Sequence, residues 1–373
     1  MEKNLHIVCL DVPYPVDYGG VFDLFYKLPV LKEQGVKIHL HCFQYGRAEQ
    51  PILNEYCESV HYYPRNEGHK GFSTQIPYIV CSRSHPALLE NLLKDDHPIL
   101  FEGVHCTYFV RCEKLAGRKL FLRLYNVEFE YYGQLCKHES SLLKKAYFYN
   151  EKRLLEKYEN EVASKMQIFA VSQKDVEVYQ QKFNAQSIHY LPIFLPYTKI
   201  LGEEGVGNYC LYHGNLSVSE NEMAATWLLE KVFSKIKIPF VIAGKKPSAR
   251  LQRLAHTHCH TCLIENPGDE EMKDLIAKAQ VNILPSFNKT GIKLKLLNAL
   301  FNGRHCVVND DAVDQTGLEP ACHIGTTAES FQRIIMQLYH HPFCEEEIRL
   351  RKKLLLENYD NSKNAKKLIE WIW

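Results

Sequence analysis

The chain contains the stretch Leu284-Pro-Ser-Phe-Asn-Lys-Thr-Gly-Ile-Lys-Leu-Lys-Leu-Leu-Asn-Ala-Leu-Phe-Asn-Gly303, in which a glycine-containing turn runs into an amphipathic helix. Leucines recur at helical spacing from Leu294 to Leu300, and Gly303 signals the end of the helix. Apolar segments on both sides, residues 280–284 and 305–309, have the length of short buried strands. The unit therefore predicts a strand, a turn, a helix and a second strand.

The turn in this stretch has features of a phosphate-binding site. Thr290 and Gly291 lie where the helix is expected to begin, and Lys293 and Lys295 follow at once. A helix N-terminus presents free N–H groups and the positive end of a dipole, so it favours phosphate, and the lysines add to that preference. An ordinary βαβ unit with solvated lysines fits this stretch equally well, so the rest of the chain must decide.

Length and composition narrow the class of protein. The chain has 373 residues, which predicts two domains at about 150 residues each. A formal net charge of +1 argues against a nucleic-acid binder. No apolar run reaches the roughly 18 residues of a spanning helix, and the first apolar run is too short for a signal peptide. The 13 scattered cysteines predict reduced thiols, and hence a cytoplasmic protein.

The first half opens as an α/β domain. Residues 6–12 are almost continuously apolar, as in a parallel strand that is covered on both faces. A turn at Gly19 and Gly20 leads into a helix that Gly35 ends, and residues 36–43 alternate as a strand. Further strands are predicted at residues 76–81 (weakly), 98–101, 119–125, 168–172 and 187–192.

A charge-rich helix is predicted for residues 141–164. Its lysines and tyrosines suit an anionic membrane surface, but interleaved glutamates cancel much of the charge. A solvated helix with one face on the core is therefore favoured over a membrane contact. The expected apolar face consists of Leu143, Tyr147, Leu154, Tyr158 and Val162.

The α/β alternation restarts after a linker. Residues 194–207 contain a proline, three glycines and two glutamates, which indicates an interdomain connection. Beyond it, Ser219-Glu-Asn-Glu222 has the pattern of a capping box that opens a helix. The predicted fold is α/β, with two doubly wound Rossmann-like domains that face a central cleft, residues 1–195 and 196–350.

Three turns of the second domain offer backbone N–H groups to phosphate: His213-Gly-Asn215, Gly244-Lys-Lys246 and Thr290-Gly-Ile-Lys293. Ligands of doubly wound sheets bind at the carboxyl ends of the strands, so turns that follow successive strands are expected to converge. The three together predict a site for a nucleotide diphosphate. The P-loop pattern and the Gly-x-Gly-x-x-Gly pattern of dinucleotide-binding domains are both missing.

Two further polar groups follow strands of the first domain. Glu102 and His105 come after one strand, and Asn126 and Glu128 come after another, so all four are expected on the cleft side. His105 suits a sugar-binding donor, a base or a packed structural residue, and the sequence does not choose among these.

The segment His256-Thr-His-Cys-His-Thr-Cys262 is the best metal candidate in the sequence. A structural zinc needs four ligands, usually in two separated pairs, and no second pair with suitable spacing lies nearby. Neighbouring residues of a strand also point to opposite faces. We therefore predict no metal site here.

With these segments in place, the chain resembles the bacterial family-4-type glycosyltransferases of the GT-B fold. Members of that family transfer a sugar from a nucleotide diphosphate with retention of configuration, and most need no metal. Their terminal helix crosses back to the first domain, which would place residues 351–373, with Trp371 and Trp373, on that domain. The matching segments, in order, are Asp11-Val-Pro-Tyr-Pro, Asp17-Tyr-Gly-Gly20, Phe101-Glu-Gly, Tyr125-Asn-Val-Glu128, Tyr212-His-Gly-Asn-Leu-Ser217 with Asn221, Ile242-Ala-Gly-Lys245 and Thr290-Gly-Ile-Lys-Leu-Lys-Leu-Leu-Asn-Ala299.

The resemblance implies a role for each candidate residue. It makes Glu102, His105 and Lys293 the expected catalytic residues. It places the sugar or acceptor beside Asp17, Gly19, Gly20, Asn126 and Glu128. It places the nucleotide donor on Gly214, Asn215, Lys245, Thr290, Gly291, Ile292 and Asn298.

The resemblance also implies the biological setting. A nucleotide sugar and a glycan or lipid-linked acceptor would be the partners, in the assembly of a surface polysaccharide. No cofactor, metal or nucleic acid is expected. The location would be cytoplasmic, with or without peripheral contact to the inner membrane.

The sequence departs from the family at the donor motif. The family often has two glutamates eight positions apart there, of which the second commonly holds the ribose; here these positions are Thr290 and Asn298. An amide in the second position loses the charge-assisted hydrogen bonds of a carboxylate. Tyr125 replaces the usual histidine. A nucleotide-sugar epimerase of the same fold and a catalytically inactive binding protein therefore remain as alternatives.

Overall fold

The computed structural model describes residues 2–287 and 291–373. The chain divides into two compact units: Met1–Pro196 with Tyr359–Trp373 form the first, and Tyr197–Asn358 form the second. In the described part of the chain, no helix combines the length and the apolar character needed to cross a bilayer.

The first unit is built on a parallel sheet of seven strands in the order β3-β2-β1-β4-β5-β6-β7. Its central strands are apolar because helices cover both faces, as the almost completely buried β1 shows. The strands are β1 (Lys3–Cys9), β2 (Val36–Gln44), β3 (Ser59–Pro64), β4 (Ile99–Glu102), β5 (Leu120–Leu124), β6 (Gln167–Ala170) and β7 (Ile188–Tyr190). The helices before the linker are α1 (Gly19–Glu33), α2 (Tyr78–Cys81), α3 (Pro86–Leu92), α4 (Glu128–His138), α5 (Leu142–Lys165) and α6 (Gln173–Phe183).

The second unit repeats this plan with six parallel strands in the order β10-β9-β8-β11-β12-β13. In both sheets the first strand lies inside the sheet and the order reverses beside it, which confirms the predicted pair of doubly wound α/β units. The strands are β8 (Cys210–Asn215), β9 (Phe240–Lys245), β10 (Thr261–Glu265), β11 (Val281–Ile283), β12 (His305–Val308) and β13 (His323–Ile324). The helices are α7 (Ser219–Trp227), α8 (Ala249–Ala255), α9 (Asp269–Lys278), α10 (Leu294–Asn302), α11 (Asp310–Val313), α12 (Ala328–Tyr339), α13 (Glu345–Arg351) and, back in the first unit, α14 (Asn361–Ile372).

The terminal helix α14 is anchored by a cap and by aromatic stacking. The side chain of Asp360 accepts a hydrogen bond from the backbone N–H of Lys363 at 3.0 Å. Trp371 stacks on Phe169 and on His189, with ring centroids 5.4 and 4.8 Å apart. These contacts place the helix on the sheet of the first unit, so the last residues of the chain complete the core that the first residues begin.

One strand predicted in the first unit is wrong, and one strand of that unit was missed. The weak strand at residues 76–81 is wrong: Tyr78–Cys81 form one helical turn after Pro77, a residue that cannot donate to a strand ladder. The real edge strand, Ser59–Pro64, escaped prediction because it is only partly buried and does not alternate.

The predicted apolar face of α5 is wrong in its first half. Leu143 and Tyr147 are exposed, whereas Tyr158 and Val162 are buried as expected. Glu151, which was not expected on the buried face, is buried and accepts a hydrogen bond from the Tyr78 backbone N–H at 2.8 Å.

The capping box predicted at Ser219 does not form. Val218 occupies the N-cap position and no side chain caps this helix, because α7 begins one residue earlier than the pattern suggested. The carboxylate of Glu222 instead accepts a hydrogen bond from Ser248, whose hydroxyl caps α8.

Candidate functional site

The strand order of the second unit determines where a ligand site is expected. The first strand, β8, lies between β9 and β11, and the order reverses between β8 and β11. In doubly wound sheets the crevice outside the carboxyl ends at this point binds the ligand. Gly214 and Asn215 end β8, and the chain that leaves β11 leads to Gly291 and Lys293. The turns that the sequence singled out therefore border this crevice.

Two glycines allow β8 and β9 to approach closely at these ends. Gly214 and Gly244 lie opposite each other in the parallel ladder. A Cβ atom at Gly244 would stand 1.9 Å from the Gly214 carbonyl oxygen, and one at Gly214 would stand 3.4 Å from the Asn221 side chain. Any side chain at Gly244 would therefore force the two strand ends apart, while Lys245 beside it is exposed.

A hydrogen-bonded cluster lies beside these glycines. The Lys295 ammonium donates to the Asn221 amide oxygen at 3.0 Å and to the Tyr212 hydroxyl at 3.2 Å. The Asn221 amide nitrogen in turn donates to the Asn215 carbonyl at 2.9 Å. The cluster joins α10, β8 and α7. The pattern Lys293-Leu-Lys295 in the sequence indicated these cations, but nothing in it indicated that Tyr212 and Asn221 hold the second one.

The electrostatics of this cluster favour an anion. Burial, aided by repulsion from Lys293, lowers the pKa of Lys295 to about 8. Burial, aided by Lys295, lowers the pKa of His213 to about 3, and the buried Nε2 atom of His213 has no hydrogen-bond partner among the described residues. The site thus holds a desolvated ammonium beside a neutral imidazole, and a bound diphosphate would restore the charge balance of the lysine.

The start of α10 completes this side of the crevice. Gly291 has φ of +64°, a left-handed conformation that favours glycine, and Lys293 is the N-cap residue. Ile292 and Lys293 are half-buried. Thr290 lies outside the described residues. The helix itself begins at Leu294, and the Leu296 N–H already donates to the Lys293 carbonyl at 2.9 Å, so the N–H groups of Leu294 and Lys295 are the ones that lack an intrahelical acceptor.

Asn298 lies in the second turn of α10. Its amide oxygen accepts a hydrogen bond from Asn302, one turn further along, at 2.7 Å. This bond stabilises the side chain within the helix and uses one of the two lone pairs of the amide oxygen, which leaves one for a further donor.

In the first unit, Glu102 belongs to a buried ionic cluster. Its carboxylate accepts from the Lys27 ammonium at 2.7 Å and from the Tyr125 hydroxyl, and Lys27 also donates to Asp23 at 3.0 Å. Arg123 forms two further hydrogen bonds with Asp23. Glu102 is fully buried at the end of its strand, as its position in the sequence predicted, and its carboxylate is paired within this cluster. Its catalytic role stays a prediction from the resemblance.

His105 follows the same strand in a different environment. Gly103 has φ of +91°, and the turn that follows buries the Nδ1 atom of His105, which has no hydrogen-bond partner in the part of the chain that the structure describes. Burial, with repulsion from Arg83 and Arg65, holds the pKa of His105 well below its usual value. Its imidazole is therefore neutral at physiological pH. Arg83 was not singled out in the sequence, because it belongs to no motif there and lies just beyond the segment predicted as a weak strand.

The loop that precedes α1 is held by one arginine. Arg47 donates to the carbonyl oxygens of Val12 and Pro15 at 3.1 and 2.6 Å, and it pairs with the Asp17 carboxylate. Asp17 is thus committed to an ion pair at the protein surface. Gly19 is exposed and Gly20 half-exposed at the start of the helix.

Glu128 is the most strongly perturbed acid among the candidates. Burial, with repulsion from Glu159 and Asp175, raises the pKa of Glu128 to about 8. The Glu159 carboxylate accepts from the backbone N–H groups of Glu128 and Phe129, both at 2.9 Å, and so caps the start of α4. Glu128 is therefore largely protonated at neutral pH and able to donate a proton, and Asn126 is half-buried just before it.

The segment 256–262 is not assembled as a metal site in the described structure. Cys259 and Cys262 are exposed free thiols, and the His260 Nε2 atom lies 3.0 Å from the Phe233 carbonyl oxygen. Among the described residues, side chains that bring ligand atoms within 4.8 Å of one another are found elsewhere, at His305, His323 and Glu347.

Comparison of sequences finds a family model that matches most of the second unit. Residues 207–341 match the family "Glycosyl transferases group 1". The chain is also 25% identical over 328 residues to a protein of Klebsiella pneumoniae described as "Uncharacterized 44.6 kDa protein in cps region", with 83% of this chain and 84% of that protein covered.

Comparison of structures extends the likeness to both units. Sucrose-phosphate synthase from Thermosynechococcus elongatus aligns with a TM-score of 0.71 at 9% identity, over 99% of this chain and 98% of its own. TarM aligns with a TM-score of 0.69 at 10% identity, over 100% of this chain and 99% of its own. At 12% identity and a TM-score of 0.59, Arabidopsis thaliana UGT89C1 complexed with UDP-L-rhamnose covers 100% of this chain and 99% of its own. The two units together thus have the GT-B fold, and the second unit is similar to the group 1 glycosyl transferases.

Proposed function

We propose that this protein transfers a sugar from a nucleotide diphosphate to a glycan or lipid-linked acceptor, with retention of the anomeric configuration. The observation that carries the proposal is the position of Lys295 at the point where the strand order of the second unit reverses. Its ammonium contacts a hydroxyl and an amide oxygen, both of them neutral, and burial lowers its pKa to about 8. A desolvated cation with neutral partners is a binding site for an anionic ligand.

The donor diphosphate would lie on the turns around this lysine. Exposed backbone at strand ends and at the start of α10, with Lys245 and Lys293, would bind the phosphates and stabilise the charge that develops on the leaving diphosphate. These cations supply the charge that a metal would otherwise bring, so we propose transfer without a metal at the donor. The donor residues are Gly214, Asn215, Lys245, Gly291, Ile292, Lys293 and Lys295, with Thr290 kept as a sequence-based prediction.

The first unit would contribute the acceptor side. His105 is neutral and has an unpartnered nitrogen, which suits a hydrogen bond to a sugar hydroxyl. Glu128 is protonated at neutral pH and can donate a proton. The loop at Asp17, Gly19 and Gly20 is held in place by Arg47 and is accessible to an acceptor.

The product would be a surface polysaccharide. The relative from Klebsiella pneumoniae is described as lying in a cps region, which supports this setting. A nucleotide-sugar donor and a glycan acceptor fit the cytoplasmic side of the membrane, where such donors are made.

Peripheral contact with that membrane is supported by the start of α5. Leu142 and Leu143 are 82% and 87% exposed, and Lys144 and Lys145 follow them. Exposed leucines beside lysines suit an anionic lipid surface. The double variant Leu142→Ser/Leu143→Ser should sediment less with anionic vesicles than the parent does, whereas Leu93→Ser, which alters another exposed leucine of this unit, should not differ. Equal sedimentation of all three would reject the contact.

A binding protein without transferase activity is the second candidate. One observation favours it: the Asn298 amide oxygen already accepts from Asn302, where the resembled family often has a ribose-binding glutamate. Such a protein would keep the fold but hold the nucleotide weakly.

The proposal is tested by incubating the purified chain with UDP-sugars and GDP-sugars, with and without glycan acceptors. Transfer that depends on the acceptor, with product of the same anomeric configuration as the donor, is expected. Interconversion of nucleotide sugars without an acceptor would instead identify an epimerase. No reaction, together with no nucleotide binding by calorimetry, would reject the transferase in favour of the binding protein.

A further inference from the structure

Three potential metal ligands meet in the second unit, away from the donor turns. His305 is the first residue of β12, His323 is the first residue of β13, and Glu347 lies in α13. Their ligand atoms all lie within 4.8 Å of one another. In a parallel sheet the starts of the strands lie at the edge opposite the carboxyl ends, so this cluster is separate from Gly214, Lys245 and the start of α10.

The hydrogen bonding of His305 fixes a hydrogen on one ring nitrogen and directs the other nitrogen at Glu347. Its side chain is fully buried, and its Nε2 atom lies 3.0 Å from the backbone carbonyl oxygen of His341. A carbonyl oxygen only accepts, so Nε2 carries the hydrogen and Nδ1 of the neutral ring presents a lone pair. That Nδ1 atom lies 3.0 Å from Glu347 Oε1, and no hydrogen bond is aligned on it. Two acceptors at this distance require a positive charge between them, which is either a proton or a cation.

The side chain of Glu347 is also held by a hydrogen bond to the backbone. Its Oε2 atom accepts a hydrogen bond from the Cys344 backbone N–H at 3.0 Å, within the capping box of α13. Its Oε1 atom is thereby directed at both histidines. Fixing one carboxylate oxygen by a backbone N–H, and one imidazole by a backbone carbonyl, is how proteins orient metal ligands.

His323 connects the cluster to solvent. Its Nε2 atom lies 3.9 Å from Glu347 Oε1, and its side chain is 40% exposed. A cavity of about 170 Å³ borders the cluster and is lined by Cys322, His323, Phe343, Glu347 and Arg351, among others. That volume is enough for several water molecules, so a cation held here would have room for a water ligand.

We propose that His305 Nδ1, His323 Nε2 and Glu347 Oε1 bind a divalent cation of the zinc type, with a water from the cavity in the fourth position. Ligands about 2.0–2.1 Å from a tetrahedral zinc are roughly 3.3–3.4 Å from one another. The separations of 3.0 and 3.9 Å from Glu347 Oε1 lie on either side of that value, so small side-chain movements complete the geometry.

The cation would be structural. It would tie α13 to the starts of β12 and β13, which are otherwise joined by short strand pairings. Arg351 is the neighbouring positive charge, and its guanidinium is committed to the carbonyl oxygens of Leu300, Gly303 and Arg304. The positive charge of Arg351 repels a bound cation, so we expect only moderate affinity for the divalent ion. The donor chemistry proposed above does not depend on this site.

The experiment uses the full chain after dialysis against a chelator, titrated with Co²⁺ and then with Zn²⁺ in competition. Visible absorption bands report Co²⁺ in a tetrahedral site, and elemental analysis gives the number of ions bound. We expect one Co²⁺ per chain, displaced by Zn²⁺, and a rise of the melting temperature with either ion. His323→Gln and Glu347→Gln should each weaken binding at least about tenfold, the lower end of the loss seen when groups that merely orient ligands are removed.

Two controls separate this site from adventitious binding. His340→Gln changes an exposed histidine of the same unit, and Cys259→Ser/Cys262→Ser removes the exposed thiols of the segment 256–262. Both should bind Co²⁺ as the parent does. His323 is partly exposed, so its variant should fold and melt like the parent without metal. The proposal is overturned if the parent binds no stoichiometric Co²⁺, if His323→Gln binds equally well, or if binding is lost with the two cysteines.

Discussion

Each unit of this protein contains a lysine removed from solvent, and the two lysines have different surroundings. Lys27 of the first unit is fully buried between two carboxylates, with Asp23 at 3.0 Å and Glu102 at 2.7 Å. Lys295 of the second unit is half-buried and contacts Tyr212 and Asn221, which are neutral. The first lysine is paired directly with two carboxylates, whereas the second donates hydrogen bonds to neutral groups, and Glu220 opposes the lowering of its pKa without reversing it.

The difference separates a structural cation from one that binds a ligand. An ammonium with carboxylate partners already has its charge compensated, and removing it exposes the partners' charge to the core. An ammonium with neutral partners keeps its charge at the expense of stability, and its pKa falls as a result. A ligand that supplies the missing negative charge then gains the interaction that the protein left unmade.

The largest effect is expected on stability, when the structural lysine Lys27 is replaced. Lys27→Met would leave Glu102 and Asp23 without their ammonium, so the free energy of unfolding should fall by roughly 3–5 kcal/mol, as when one member of a buried pair is removed. Urea unfolding of parent and variant measures it. The double variant Lys27→Met/Glu102→Gln should recover part of the loss. A change of less than about 1 kcal/mol would show that the cluster is not structural.

A smaller effect is expected at the neighbouring cation of the donor site. Lys293→Ala should weaken binding of UDP or GDP by roughly 1.5–3 kcal/mol, the range for a hydrogen bond to a charged group. The melting temperature should hardly change. Lys278→Ala, which removes an exposed lysine of the same unit, is the matched control and should bind like the parent. Unfolding of Lys293→Ala, or unchanged affinity, would argue against the diphosphate contact.

The smallest effect concerns Asn298. In Asn298→Glu, Asn302 would still donate to the side chain, and a second carboxylate oxygen would be available to a ribose. Nucleotide binding should tighten by about 1 kcal/mol, as a neutral hydrogen bond becomes charge-assisted. The prediction is tested by measuring the dissociation constant of the nucleotide for both proteins at one pH and salt concentration. Weaker binding in the variant would mean that the pocket is built around the amide and would reject the ribose role.

The fold could be predicted from the sequence because its signals are local. Apolar runs such as that of β1, and glycine turns such as Gly214-Asn215, fix strands and crossovers without reference to distant residues. The predictions failed where the burial of a residue depends on its place in the tertiary structure. Strand β3 is only partly buried because it lies at a sheet edge, and Leu143 is exposed although it fits a helical pattern.

From the sequence we could predict which turns border the site, but not the directions of their side chains. Parallel strands bring their carboxyl ends together, so the convergence of the donor segments followed from their order. The direction of Glu102 did not follow, because its partner Lys27 lies 75 residues away in the chain. For the same reason the best metal candidate that the sequence offered was the compact segment 256–262, at which no metal site was predicted. The cluster at His305, His323 and Glu347 comes from three separate elements.

The most direct test of the account is the affinity of UDP and GDP for the parent and for Lys295→Met, measured by calorimetry at neutral pH. We predict that the parent binds one of them and that the variant binds it at least about tenfold more weakly, with no loss of thermal stability. Lys295 has a pKa lowered to about 8 by burial, so it is charged below that pH and neutral above it. The parent's affinity should therefore fall as the pH rises above about 8, and the variant's should not. Equal affinity in the two proteins, or no nucleotide bound by either, would contradict the account.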